Sequence, residues 1–146
     1  MLRSGWTPGP DHGRGGPVLV SVTDFTLDRL VDLPGVHRAA RRLAAGWAEL
    51  EGAHGMWLWA LPSERRCGAV AIWTDEAALK GFVAWPPHVA IMRRYRDRGR
   101  LSSTTWPADA FDAPTVWSHA RGFLTPTSRQ GRRRPGSPYR PDPDRP

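Results

Sequence analysis

The sequence has few of the residues that disulfides, metal sites and membrane spans require. Its single cysteine, Cys67, excludes an internal disulfide and a cysteine-rich metal site. His37, His54 and His119 have no metal-ligand spacing. No apolar run approaches the roughly 20 residues that cross a bilayer, and the N-terminus lacks the hydrophobic segment of a secretory signal. We therefore expect a cytoplasmic protein with no metal site and no membrane partner.

Lysine is also scarce, because Lys80 is the only one and arginine supplies nearly all of the positive charge. The formal net charge is +7, and residues 128–146 hold six arginines against two aspartates. The Pro/Arg/Gly/Ser composition predicts a disordered basic tail over 125–146, and the Gly/Pro-rich start predicts a disordered segment over 1–16. Because the basic excess lies mostly in the tail, nucleic-acid binding is the least favoured function.

Between these ends, residues 17–124 show the periodicities of one folded domain. Val18–Phe25 alternates as a strand does. Gly35–Glu51 has apolar residues every three or four positions, which predicts a helix. Gly55–Leu61 and Cys67–Trp73 are apolar strands joined closely enough to form an antiparallel hairpin. Both faces of the first hairpin strand are apolar, so both should be covered.

After the hairpin, the sequence predicts two helices and a last strand. Thr74 or Asp75 caps the first helix. Pro86 ends it, and Pro87 suits the first turn of the second helix. Leu101–Trp106 has the composition of a Thr/Ser-rich strand. The order is therefore β-α-β-β-α-β.

This order is typical of the α+β ferredoxin-like fold, or split βαβ, in which helices cover one face of an antiparallel sheet. The stretch 107–124 predicts irregular structure with a short strand near 115–118. With no helix predicted there, the second sheet face keeps tryptophan and aliphatic side chains that should not face water. A second subunit packed sheet on sheet would cover them, so we expect a homodimer.

The region around Trp73 resembles a known superfamily. The resemblance rests on a strand ending in Trp73, the run TDEAAL, Phe82, Pro87, His88 and Met92. This pattern is similar to that of the dimeric α+β barrel proteins, which include the antibiotic biosynthesis monooxygenases. The likeness covers about residues 17–107, including VSVTDF and Leu33-Pro34. It implies a ferredoxin-like protomer, a barrel formed by two protomers, and a pocket between the sheet and the helices.

The resemblance also implies a class of reaction. Some members of the superfamily oxidise polycyclic aromatic substrates with molecular oxygen and no cofactor, which implies a small monooxygenase acting on an aromatic or lipophilic molecule. Other members bind or degrade haem, with a histidine near the position of Phe82 and Val83, whereas His88 lies further along the chain. Haem is therefore an alternative ligand. A homodimeric binding module without catalysis is the other alternative.

His88 is the main candidate for a catalytic group. It shares a helical face with Ile91, Met92 and Tyr95, so it should point inward. A histidine in a partly apolar pocket exchanges protons near neutral pH. Tyr95 is the second catalytic candidate, because its hydroxyl would bond a substrate carbonyl. The alternative for both residues is packing, with a locally bonded histidine and a core tyrosine.

A set of large side chains is the candidate lining of the substrate pocket, since such pockets are mostly apolar. The candidates are Trp57, Trp59, Trp73, Phe82, Trp85, Met92 and Trp106. Tryptophan on a sheet face serves equally well as the core of a dimer interface, so the sequence leaves both interpretations open.

Overall fold

The structure is a computed structural model that describes residues 1–125. The strands are β1 (Leu2–Arg3), β2 (Thr7–Pro8), β3 (Val18–Leu27), β4 (Ala53–Leu61), β5 (Arg66–Trp73) and β6 (Gly99–Ala108). The α-helices are α1 (Leu33–Ala45), α2 (Glu76–Ala84), α3 (Pro86–Tyr95) and α4 (Ala113–Leu124). Apart from Thr125, the tail predicted over 125–146 lies outside the described residues, as does nucleic-acid binding through it. Within residues 1–125, no helix is long and apolar enough to cross a bilayer.

The four long strands form an antiparallel sheet in the order β4-β5-β3-β6. In this sheet β3 is central, so that Thr23 pairs with Ala69 of β5 on one side and with Ser103 of β6 on the other. Together with α1 between β3 and β4, and α2 and α3 between β5 and β6, this arrangement is the ferredoxin-like order. The predicted fold class is confirmed.

The helix boundaries follow local sequence signals. The Asp75 carboxylate accepts a hydrogen bond from the Ala78 amide at 2.8 Å and caps α2. The chain leaves α2 at Trp85, whose backbone is extended because Pro86 follows it. Apolar residues of α1 and α2 pack with β4 and β5 in one buried cluster around Trp47. These helices therefore lie on one face of the sheet.

The N-terminal segment forms two short strands, so the prediction of disorder over 1–16 is wrong. Both β1 and β2 pair antiparallel with β4, as Leu2 does with Ala60 and Thr7 with Met56. Trp6 anchors the segment, with its ring centroid 4.4 Å from that of Trp57. The physical reason is that β4 would otherwise be an exposed edge with free backbone groups. Composition does not reveal this pairing.

The second face of the sheet is also covered by the chain itself. The stretch predicted as irregular with a short strand near 115–118 is instead helix α4, in which the Asp112 carboxylate caps the Thr115 amide at 2.9 Å. Val116, Ala120 and Leu124 of α4 join a buried cluster with the valines of β3 and with Trp57, Trp59, Val70 and Ile72. The prediction of a bare face is therefore wrong. Because α4 covers this face, the uncovered sheet no longer supports a homodimer, and the homodimer stays a prediction.

Candidate active site

A cavity of about 160 Å³ lies between the sheet and helices α1 to α3. Its walls come from β3, β4, β5 and the three helices, and they are mainly apolar. The position is the one that the resemblance to the dimeric α+β barrel proteins implies. The buried end includes Trp47 and Met56, whereas the exposed residues Arg96 and Leu101 mark the side toward solvent.

The cavity exists because the sheet beneath it has small side chains. These are Ser21 and Thr23 of β3 and Cys67, Ala69 and Ala71 of β5. The register places Ser21 beside Ala71 and Thr23 beside Ala69, so the small residues form one continuous floor. Side chains on a strand alternate between faces, so the floor shares its strands with the larger residues of the opposite face. The helices span the floor without filling the space above it.

The helices supply the larger side chains of the roof. They are Val36, Leu43 and Trp47 from the α1 region, Phe82 from α2, and His88, Ile91, Met92 and Tyr95 from α3. Trp47 Nε1 is the one buried side-chain nitrogen or oxygen without a hydrogen-bond partner in the described part of the chain. Aromatic rings dominate the buried end, because Trp47 lies 5.0 Å from Trp73 and 5.2 Å from Phe82 between ring centroids.

The break between α2 and α3 orients His88. Its Nδ1 lies 3.1 Å from the carbonyl oxygen of Val83, in the last turn of α2, where helical carbonyls lack helical partners. A carbonyl only accepts, so Nδ1 is the donor and Nε2 carries the lone pair of the neutral ring. The ring also packs against Phe82, with centroids 4.3 Å apart. Burial lowers the pKa of His88, and the bond to Val83 offsets this in part. His88 is therefore a neutral base beside an apolar cavity.

Tyr95 also lines the cavity, and its side chain is buried. Its hydroxyl packs against α1, 3.0 Å from the point where a side chain at Gly35 would begin. The guanidinium groups of Arg94 and Arg98 lie 5.5 and 5.8 Å from its ring centroid. The hydroxyl contact joins α3 to α1, which fits the packing alternative for Tyr95 as well as a place in the cavity wall.

Of the predicted lining residues, Phe82, Met92 and Trp59 border the cavity. Trp59 also belongs to the cluster on the other face, and its Nε1 donates to the Thr23 carbonyl at 3.2 Å. Met92 and Phe82 lie on the roof, on the same two helices as His88.

The other four tryptophans do not border the cavity. Trp57 packs with Trp6 and Trp117 on the α4 side of the sheet, and Trp106 packs with His119 on that side. Trp85 lies over Gly46 at the end of α1. Trp73 lies on the cavity face of β5 beyond Ala71, where it is fully buried against Trp47 and Phe82. Their placement as pocket lining is corrected, because large side chains at these positions fill the space that a pocket would need.

Two polar residues of the floor were missed by sequence reasoning. Ser21 Oγ accepts a hydrogen bond from Trp73 Nε1 at 2.9 Å, and Thr23 Oγ1 accepts one from the Ala69 amide at 3.1 Å. Each hydroxyl therefore keeps its own hydrogen for donation. The available signal was the alternation of Cys67, Ala69 and Ala71 on β5, which marks a face of small side chains.

Cys67, the cysteine of the floor, is a poor nucleophile. Burial raises the pKa of the Cys67 thiol to about 11, with a smaller contribution from the charge of Asp24. The thiol is therefore protonated near neutral pH, and the thiolate is the reactive form. Within residues 1–125, no group of three or more His, Cys, Asp or Glu side chains is placed to hold a metal ion.

The cavity does not fit haem. An engineered apolar cavity of about 150 Å³ holds one benzene ring, and the cavity beside His88 measures about 160 Å³. A porphyrin joins four pyrrole rings in one plane. The cavity would have to be much larger to admit it, so haem has no role in the proposed chemistry.

No family model matches the sequence, and no curated protein matches it. Solved structures do match the fold. SnoaB from Streptomyces nogalater, a cofactor-independent oxygenase whose structure is that of a point mutant, is 19% identical with a TM-score of 0.53, over 66% of this chain and 97% of SnoaB. An antibiotic biosynthesis monooxygenase is 16% identical with a TM-score of 0.53, over 64% of this chain and 99% of the monooxygenase.

A protein from Shewanella oneidensis has the same fold, with 16% identity and a TM-score of 0.57 over 64% of this chain and 93% of that protein. At such identities the likeness concerns the fold. The chain therefore has the α+β fold of the dimeric barrel proteins that include the antibiotic biosynthesis monooxygenases.

Proposed function

We propose that this protein is a small cofactor-independent monooxygenase that oxidises an aromatic or lipophilic molecule in the cavity beside His88. The observation that carries the proposal is the state of His88, a neutral imidazole held through Nδ1 with Nε2 left as a base. An apolar cavity of ring size lies next to it. The shared fold with SnoaB, described as a cofactor-independent oxygenase, supports the reaction class.

The chemistry needs a substrate whose own electrons reduce oxygen. A methylene group next to a carbonyl or an aromatic ring loses a proton to His88 Nε2, and the resulting carbanion adds oxygen to give a peroxide anion. The imidazolium returns the proton and gives the hydroperoxide. His88 then removes the second C–H proton, the C=O bond forms, the O–O bond breaks, and the hydroxide leaves as water with that proton. One methylene and one O₂ thus give one carbonyl and one water.

The cavity walls assist this sequence by excluding water. Phe82, Met92 and Trp47 surround the space with apolar groups, and a dry site prevents early protonation of the carbanion and hydrolysis of reactive intermediates. Proton transfer by one positioned base accelerates a reaction by typically 10²–10⁴-fold. Tyr95 is proposed as a wall residue that fixes α3, and so His88, relative to α1.

The test is oxygen uptake with 2-tetralone, a two-ring ketone with an activated methylene. The variants are His88→Ala and His88→Asn, because asparagine keeps a donor for the Val83 carbonyl and lacks the Nε2 base. His119→Ala is the matched control, since His119 packs with Trp106 on the far side of the sheet. We expect the rate of oxygen uptake to fall at least about 100-fold in both His88 variants. The control variant should keep the rate of the unmodified protein.

Two outcomes would contradict the proposal. Oxygen uptake that survives His88→Asn would remove His88 as the base. Binding of 2-tetralone by the unmodified protein without oxygen uptake would favour the alternative of a binding module. The expected products are one diketone and one water for each O₂ consumed, with no hydrogen peroxide released.

A further inference from the structure

The volume of the cavity limits the number of rings that a ligand can place inside it. The space of about 160 Å³ is close to the volume of about 150 Å³ that holds one benzene ring in an engineered cavity. Trp47 and Met56, both nearly inaccessible to solvent, border its buried end, and the exposed His37 and Arg96 lie toward the mouth. One ring therefore fills the enclosed part, a second fused ring reaches the mouth, and a third would lie in water.

The walls also favour a flat ligand. Ala69 and Ala71 lie on one strand with their side chains on the cavity face, so the floor is a sheet surface covered by single methyl groups. His88 and Met92, one helical turn apart, form the facing roof. A planar ring between floor and roof contacts both surfaces, which a bulky saturated ligand of equal volume cannot do.

The polar groups around the cavity define where a ligand needs polar atoms. Ser21 and Thr23 each accept a hydrogen bond from the protein and donate none within residues 1–125, so their hydroxyl hydrogens are available to a ligand. His88 Nε2 has no hydrogen-bond partner among residues 1–125, because the ring bonds Val83 through Nδ1, so Nε2 is an acceptor there. A ring hydroxyl satisfies both needs, because it donates to Nε2 and accepts from a floor hydroxyl. The cationic Arg96 lies only at the mouth, so the enclosed ring is uncharged.

From these observations we infer that the ligand class of this cavity is a hydroxylated, planar system of one or two fused aromatic rings, counting an enol such as that of 2-tetralone. The inference rests on the proposed function, since it defines the substrate class of the same site. It predicts that a third fused ring adds little to the binding affinity, because that ring lies outside the enclosed part of the cavity.

The test is a series of calorimetric titrations without oxygen, using phenol, 2-naphthol, anthracen-2-ol and naphthalene. The second ring buries more apolar area, so 2-naphthol should bind about tenfold more tightly than phenol. Anthracen-2-ol should gain less than threefold over 2-naphthol, because its third ring stays in water. Naphthalene should bind at least about threefold more weakly than 2-naphthol, since it leaves the polar groups of the site unpaired.

Two variants resize the cavity, and one controls for changes in β5. Ala71→Leu fills the floor and should weaken 2-naphthol binding about tenfold or more. Met92→Ala enlarges the roof and should let anthracen-2-ol bind at least threefold more tightly than it binds the unmodified protein. Ile72→Val changes the adjacent residue on the opposite face and should leave all affinities within twofold. Thermal unfolding of each variant shows that it is folded at the titration temperature, and Met92→Ala decides the question where Ala71→Leu does not fold.

The inference is overturned if anthracen-2-ol binds the unmodified protein at least threefold more tightly than 2-naphthol, or if a folded Ala71→Leu variant binds 2-naphthol unchanged. Naphthalene binding within threefold of 2-naphthol overturns the hydroxyl requirement. The two proposals fail separately. If the affinities follow the expected order but 2-tetralone causes no oxygen uptake, the monooxygenase proposal is overturned and the ligand class is kept. If 2-tetralone causes oxygen uptake but affinity increases with every added ring, the ligand class is overturned and the monooxygenase proposal is kept.

Discussion

The two faces of the central sheet use the same strands and have opposite properties. On the α4 side, Val20, Val22, Val70 and Ile72 pack with Val116 and other residues of α4, and all five are almost fully buried. On the side covered by α1, α2 and α3, the neighbouring positions of the same strands hold alanine, serine, threonine and cysteine, and a cavity remains. One-residue alternation along β3 and β5 therefore separates a filled core on one face from a cavity on the other.

The difference teaches that large apolar residues are weak evidence for a pocket. Trp57 and Trp106 look like the lining of an aromatic site in the sequence, yet they fill the α4 side of the sheet. The space is left where side chains are small, above Ala69 and Ala71. The catalytic candidate His88 borders the same cavity as these small residues, whereas Trp57 and Trp106 do not.

The largest effect is expected from removing the cover of the filled face. A chain that stops after Asp112 loses α4 and exposes the valines of β3 and β5, whereas a chain that stops after Thr125 keeps α4 and is the matched control. Each buried valine or leucine contributes about 1.5–3 kcal/mol, so the shorter chain should lose several kcal/mol and self-associate. Light scattering with chemical unfolding measures both. A shorter chain that is as monomeric and stable as the control would show that α4 does not cover this face.

A smaller effect separates the faces by single truncations. Ile72→Ala leaves a hole in a filled layer and should lower the free energy of unfolding by about 2–4 kcal/mol. Met92→Ala removes a half-buried side chain that already borders a cavity, so it should lower that free energy by less than about 1.5 kcal/mol. Urea unfolding of both variants makes the comparison. Equal losses would mean that the two faces are packed alike.

The pH dependence of the oxidation should report the base on the cavity face. Burial lowers the pKa of His88 below its ordinary value near 6.5, so the neutral form persists into mildly acidic solution. We expect kcat/KM for 2-tetralone to be constant near neutral pH and to fall about tenfold per pH unit below the pKa of His88. A rate that increases on acidification would contradict the role of His88 as a base.

The smallest expected effect is on stability at mildly acidic pH. Burial lowers the pKa of His88 and the pKa of the almost fully buried His54. The charge of Asp11 offsets part of the shift at His54. The unfolded chain therefore binds protons more readily, so stability should fall as the pH drops through about 6.5 and level off below the folded pKa values. Unfolding midpoints of His54→Gln and His88→Gln between pH 7.5 and 5 should depend less on pH than those of the unmodified protein. An unchanged slope in both variants would assign the acid sensitivity to other groups.

Periodicity in the sequence was enough to predict the ferredoxin-like order and the inward position of His88. Helix α4 was missed although Asp112, Pro114 and the spacing of Val116, Ala120 and Leu124 are ordinary signals of a capped amphipathic helix. The N-terminal strands carry no local signal, because their pairing depends on a free edge that only the folded sheet presents. The cavity was not predictable without the register, since its volume depends on which small residues share a face.

Locating a bound ligand tests the central claim most directly, namely that the small-residue face is the ligand site. Crystals grown with 2-naphthol should show one ring between Ala71 and His88, with its hydroxyl within hydrogen-bond distance of His88 Nε2. Electron density for 2-naphthol among Trp57, Trp106 and the residues of α4, with the space beside His88 empty, would contradict the account.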